Sequence, residues 1–166
     1  MGRRALSGEI RLRRPVEADH RFLVNSVDDW WGGRKIHALL PRLWFQHFTG
    51  TSWIAEDDER IVGFLVGFIS PDRPDEGYIH MVGTSPNHRG AGLGRMLYER
   101  YFEDMRERGV RRVAAVTWPG NRGSVAFHRA MGFTPSEAGS QNLYGTPAYP
   151  DYDADGDDRA VFSREI

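Results

Sequence analysis

Apolar residues recur along this chain with two periods, and the two take turns. From Leu93 to Arg108, the residues Leu93, Met96, Leu97, Tyr101 and Met105 share one face at helical spacing, which predicts an amphipathic helix. Val16 to Val27 predicts another, with Phe22, Leu23, Ser26 and Val27 on its apolar face. The paired glycines Gly32 and Gly33 end that pattern, so Asp28 to Arg34 reads as a loop. His37 to Phe48 predicts a second helix with Leu39, Leu40, Leu43, Trp44 and Phe48 as its stripe, and Pro41 tolerated in its first turn. Short apolar runs bounded by turn residues predict strands at Ile10 to Arg13, Thr51 to Glu56, Arg60 to Ile69, Glu76 to Val82, Arg112 to Thr117 and Arg159 to Glu165. Asp57, Asp58 and Glu59 make a hairpin of the second and third. Asn121 is a good cap for a fourth helix. After Phe133 the pattern dissolves into a stretch rich in Gly, Pro and Asp, so residues 134–158 read as an irregular acidic segment. Counting a short strand at Phe133 after the fourth helix, the order is β-α-α-β-β-β-α-β-α-β-β, with no internal repeat.

The join between the fourth predicted strand and the third helix carries the strongest chemical signal. Arg89-Gly90-Ala91-Gly92-Leu93-Gly94 places three glycines at alternate positions just where the helix begins. Bare backbone lets amide N–H groups approach an anion, and the helix start adds unpaired donors and partial positive charge. Arg89 and Arg95 add full charges, so a pyrophosphate is the natural guest. A dinucleotide fold would space its glycines differently and follow the next strand with a carboxylate. Here that strand ends in Thr117-Trp118-Pro119. A P-loop would need Gly-Lys-Ser/Thr, and Lys35 is the only lysine.

The segment instead resembles the R/Q-x-x-G-x-G/A acyl-CoA signature of the GNAT superfamily of N-acetyltransferases, as Arg89-x-x-Gly92-x-Gly94. A second block, Asn121 to Phe133, is similar to the family's N-x-x-A/S-x-x-F-Y/H-x-x-x-G-F run. The resemblance covers Arg11 to Met131 in order of elements. It implies an α/β fold of the α+β type: a mixed, mostly antiparallel central sheet, splayed between strands 4 and 5 and flanked by about four helices. It also implies transfer of an acetyl group from acetyl-CoA to a primary amine by direct attack in a ternary complex. The implied CoA residues are Val82 and Thr84 on the splayed strand, then Arg89, Gly90, Ala91, Gly92, Leu93, Gly94 and Arg95, and Asn121. A homodimer is common among such enzymes. The alternative is a noncatalytic acyl-CoA-binding sensor on the same fold.

Acetyl transfer requires a neutral amine, a polarised thioester carbonyl and a thiolate that can leave. His80 shares a strand face with Tyr78 and Val82. By resemblance it stands where family members often hold a carboxylate base, and an imidazole suits that task at neutral pH. The competing reading is a histidine that hydrogen-bonds a neighbouring strand. His128 stands where many members place a tyrosine that protonates the thiolate; the alternative is a helix histidine packed against the next strand. Tyr144 is a spare phenol nearby in sequence. Asp28, Asp29, Trp30 and Trp31 lie in the first interhelix loop, which borders the acceptor site in the family. Aromatics beside carboxylates suit an amine with apolar surface, whereas one tryptophan could simply plug the core.

Composition narrows the rest. At 166 residues the chain is read as one domain, residues 1–166, and its net charge of −1 does not suggest a nucleic-acid partner. No cysteine is present, which excludes thiolate metal sites and a cysteine acyl-enzyme. No apolar run reaches a membrane span, and no signal-peptide pattern opens the chain, so a cytoplasmic enzyme without membrane partners is expected. Asp151 to Gly156 matches the start of an EF-hand loop, but the twelfth position is Phe162 instead of glutamate. A solvated acidic loop that attracts a cationic acceptor is the better reading, against a calcium-responsive module. No metal cofactor is expected, and the acceptor is a small-molecule or peptide amine.

Overall fold

The strands expected from alternation form in the computed structural model, which describes residues 8–166. The first elements are β1 (Arg11–Arg13), α1 (Asp19–Trp30), α2 (Trp44–His47), β2 (Trp53–Asp57), β3 (Arg60–Ile69) and β4 (Glu76–Thr84). They are followed by α3 (Leu93–Glu107), β5 (Arg112–Thr117), α4 (Arg122–Ala130), β6 (Thr134–Pro135), β7 (Gln141–Leu143), β8 (Thr146–Ala148) and β9 (Ala160–Glu165). The result is a mixed α/β fold with mostly antiparallel pairing, as expected.

Two compact units make up the chain. One runs to Phe68 and takes in Ile79–Asp104; the other comprises Ile69–Tyr78 and Met105–Ile166. In the first, β1, β2, β3 and β4 lie side by side in that order. The β2–β3 hairpin closes on Asp58 and Glu59, both at positive φ (47° and 62°). Leu23 and Val27 from α1 pack with Leu40, Trp44 and Phe45, and with Ile54, Phe64, Val66 and Met81 from the strands. Each such side chain, once fully buried, contributes about 1.5–3 kcal/mol of apolar transfer energy. Arg13 fastens β1 to α1 and β2: its guanidinium donates to Asp19 at 2.8 Å and to Glu56 at 2.6 Å. Burial alone would raise the Glu56 carboxyl, but Arg11 and Arg13 outweigh it and hold it below its ordinary value. In the second unit, β9 lies between β5 and β6, antiparallel to both, and β7 and β8 form a separate hairpin.

Three expectations need correction. His37 to Phe48 is not one helix. A 3₁₀ turn at His37–Leu39 and the short α2 are separated at Pro41. Leu40, at φ −122° and ψ 59°, has left helical geometry, as the residue before a proline is pushed to do. The broken helix turns Leu39 and Leu43 outward, and Phe22 of α1 is exposed too, so the buried stripe is narrower than expected. The first helix starts later than Val16 and continues through Trp30, so Asp28, Asp29 and Trp30 form its last turn and not a loop. The segment 134–158 is also more ordered than expected, since it contains β6, β7 and β8.

Candidate functional site

The glycine turn is built in the first unit, where its geometry follows from two left-handed residues. A 3₁₀ turn at Pro86–His88 leads into extended Arg89; Gly90 and Gly92 then take φ 76° and 80°. A β-carbon at Gly92 would meet nothing within 4 Å, so the glycine is required for its backbone angle and the space beside it is open. The Gly92 carbonyl accepts from Met96 N at 2.9 Å and opens α3. Leu93 and Leu97 seat that first turn against Gly63 of β3, where an added β-carbon would come within 3.2 Å and 3.3 Å of their methyl groups. The helix start is thereby fixed to the sheet. Ala91 is exposed and Gly94 lies inside the first turn of α3. The Arg89 guanidinium donates to the Trp30 carbonyl at the end of α1. Arg95 pairs with Glu99 along its own helix at 3.6 Å.

On β4, partly exposed His80, Val82 and Thr84 alternate with buried Ile79, Met81 and Gly83. Gly83 allows a close approach: a β-carbon there would lie 2.6 Å from the rings of both Phe64 and Trp31. The Trp31 indole therefore rests on the strand between Val82 and Thr84. Trp30 has the other fate weighed for this pair. It is 8% exposed and packs on Phe64 with ring centroids 6.2 Å apart, inside the core.

Asp28 organises the loop that follows it. Its carboxylate accepts from the amides of Ile36 and His37 at 2.8 and 2.9 Å and from His37 Nδ1 at 2.8 Å, with Lys35 Nζ at 3.5 Å. The His37 hydrogen bond is the main reason its pKa falls to about 2. Asp29, one residue on, is exposed.

His80 Nε2 lies 2.6 Å from the carbonyl of Leu39, 41 residues away in sequence. A carbonyl can only accept, so Nε2 carries the proton and Nδ1 of the neutral ring holds the lone pair. The imidazole stacks on Trp44, centroids 4.5 Å apart and planes 14° apart. Its partner is thus a turn, not the neighbouring strand considered from sequence. Sequence reasoning treated Leu39 and Trp44 only as members of an apolar stripe; no short-range signal pairs them with His80.

The second unit holds the remaining candidates. Asn121 caps α4, its Oδ1 accepting from Ser124 N at 3.1 Å. His128 is 5% exposed, stacked on Phe162 (5.1 Å, 15°) and edge-on to Phe133 (5.4 Å, 88°). Its Nδ1 donates to the Ser124 carbonyl at 2.8 Å, and burial pushes its pKa down. A neutral, close-packed imidazole is what that setting favours. Tyr144 is exposed at the β7–β8 turn, edge-on to Trp118 at 5.4 Å. Burial pushes the Tyr78 phenol up to about 12, with Tyr152 and Asp153 adding to the effect. The acidic run folds on itself: Asp151 Oδ1 accepts from Gly156 N at 2.6 Å, and Arg159 pairs with Asp153 at 2.7 Å. Among the described residues, no group of three or more His, Cys, Asp or Glu could hold a metal ion. Also among them, no helix is long and apolar enough to cross a membrane.

Comparison with known proteins adds a family to this geometry. The model of the acetyltransferase (GNAT) family matches residues 21–133. Over 116 residues the chain is 32% identical to the L-2,4-diaminobutyric acid acetyltransferase of Nocardia farcinica, covering 69% of this chain and 60% of that one. Over 122 residues it is 31% identical to the mycothiol acetyltransferase of the same organism, covering 68% of this chain and 40% of that one. The chain thus spans between two and three fifths of these relatives. Its fold matches the solved diaminobutyrate acetyltransferase of Paenibacillus lautus, in complex with L-2,4-diaminobutyric acid and coenzyme A. The TM-score is 0.68 at 22% identity, with 93% of each chain covered.

Proposed function

The chain belongs to the GNAT acetyltransferase family, and from that premise we propose that it moves an acetyl group from acetyl-CoA to the primary amine of a small molecule. The observation that carries this reading is the turn at Gly90 and Gly92, which opens a 15-residue helix whose first amides have no partner within the helix. Such a terminus is suited to a pyrophosphate. Val82, Thr84, the run from Arg89 to Arg95, and Asn121 are the CoA residues of this proposal. His80 is the base. A proton passes from the acceptor's ammonium to His80 Nδ1, while Nε2–H stays on the Leu39 carbonyl. The freed amine attacks the thioester carbonyl, the C–N bond forms, the C–S bond breaks and CoA leaves as thiolate, while the nitrogen gives up its second proton to solvent and becomes a neutral amide. The reaction takes place in one ternary complex, since no cysteine is present to carry the acyl group.

Trp31 and exposed Asp29 are the acceptor-facing residues of this reading; Asp28 contributes by holding their loop. Two curated relatives are named for a diamino acid and for mycothiol, so a compact polar amine is the acceptor class to test first. A cytosolic setting belongs to the same proposal, as does a homodimer with neither nucleic acid nor membrane as partner. His128 has the environment of a packing residue, which leaves solvent or Tyr144 to protonate the thiolate.

The test is a panel of diamino acids, amino sugars, polyamines and peptides with acetyl-CoA, read by thiol release. Turnover with at least one amine is expected. His80→Ala should then lower kcat by roughly 10²–10⁴ while CoA affinity holds. Tight CoA binding without turnover across the panel would favour the noncatalytic sensor.

A further inference from the structure

We infer that Trp44 is a positioning residue for the acyl-transfer step, acting through the His80 ring to present Nδ1 as the basic atom. The inference rests on the reading of His80 as the base.

Two contacts define the ring. The hydrogen bond from Nε2 to the Leu39 carbonyl, at 2.6 Å, sets which nitrogen is protonated. That bond alone leaves the ring able to turn about its Cα–Cβ and Cβ–Cγ bonds and swing away from the carbonyl, which frees either nitrogen to carry the proton. The near-parallel Trp44 indole, 4.5 Å away and tilted by 14°, removes that freedom by covering one face of the imidazole. Trp44 is itself held. It is 7% exposed and packs against Phe48 at 4.7 Å and Phe68 at 6.1 Å.

Both contacts come from the same break in the chain. Pro41 has no N–H, so the backbone cannot continue as one helix from His37. The carbonyl of Leu39 is left on one side of the break and the Trp44 ring on the other. The next carbonyl, that of Leu40, accepts from His20 Nε2 at 3.1 Å and steadies the same turn from α1. The turn thus offers His80 an acceptor at its edge and a flat surface beneath its plane. A base needs such fixing, because a lone pair turned away from the amine contributes little even when the side chain is present.

The step affected is proton transfer, so the signature is in kcat. Trp44→Leu should lower kcat by about tenfold or more, while the KM for acetyl-CoA stays within about twofold. Trp44→Phe keeps a flat face and should recover most of the loss. Nitrogen-15 NMR of the imidazole gives a readout that packing alone would not move. The wild type should show His80 as the Nε2–H tautomer, and Trp44→Leu should show mixed tautomers. If Trp44→Leu does not fold, the wild-type tautomer and the Trp44→Phe rate carry the test. A wild-type Nδ1–H tautomer overturns the inference. So does unchanged kcat in folded Trp44→Leu, or a Trp44→Phe enzyme slowed by tenfold. Failure of the base assignment looks different: His80→Ala would keep full turnover even though the wild-type tautomer is Nε2–H.

Discussion

Gly83→Ala adds one methyl group at the point where Trp31 rests on β4. That methyl carbon would stand 2.6 Å from the rings of both Phe64 and Trp31, about 0.8 Å inside ordinary contact. The two rings differ in their freedom to yield. Phe64 is fully buried among the core side chains, whereas Trp31 is partly exposed at the end of α1. Trp31 must therefore move. Overpacking of this kind costs about 1–3 kcal/mol. At roughly 2–4 °C per kcal/mol for a domain of this size, the midpoint of thermal unfolding should fall by about 2–12 °C. Circular dichroism measures that fall, and indole fluorescence reports the new exposure of Trp31. In turnover assays the KM for the acceptor should rise and that for acetyl-CoA should change little. The double variant Gly83→Ala, Trp31→Ala should be less destabilised than the two single effects added together, because the second change removes one of the two clashes. A midpoint within about 1 °C of wild type, with strict additivity in the double variant, would refute the placement of Trp31 on the strand.

Gly92→Glu should keep the fold, since the site is open, at about 1–2 kcal/mol for the left-handed backbone; calorimetry should find acetyl-CoA binding abolished. Asp28→Asn concerns pH. The folded carboxyl titrates near 2, below its usual 3.8, so the unfolded chain binds more protons as acid is added. The contribution of Asp28 is complete above about pH 4 and is lost as pH falls towards 2. Denaturant titrations across that window should show a shallower pH dependence in the Asn variant. His128→Phe keeps a flat apolar ring between Phe162 and Phe133, and kcat should stay within a few fold of wild type; a loss above about 10² in a folded variant would make His128 an acid catalyst instead.

What could be read from the sequence follows the range of the forces involved. β3 and β5 have the bounds that alternation and flanking turns predict, and α3 differs by one residue, because periodicity and glycine punctuation are local. The glycine loop was legible for the same reason. The stretch from His37 to Phe48 was not. Its apolar spacing suits a helix, yet Pro41 imposes its restriction on Leu40 and splits the element. The capping by Asp28 was not legible either, because the amides it accepts from lie eight and nine residues on, brought back by a loop that the pattern does not describe. The His80 pocket was hidden further still. A strand histidine, a turn carbonyl and an indole meet across about 40 positions, and no periodicity encodes such a meeting.

The arginine bias of the chain gives the loop held by Asp28 a practical use. Within these 166 residues there is a single ε-amine, that of Lys35, and its side chain is 80% exposed beside the Asp28 carboxylate. An amine-selective dye or spin label has one side chain to find, on the segment next to the tryptophan that covers β4. The protein carries an address for a spectroscopic reporter where arrival of an acceptor should be felt, with no engineered cysteine needed to create it.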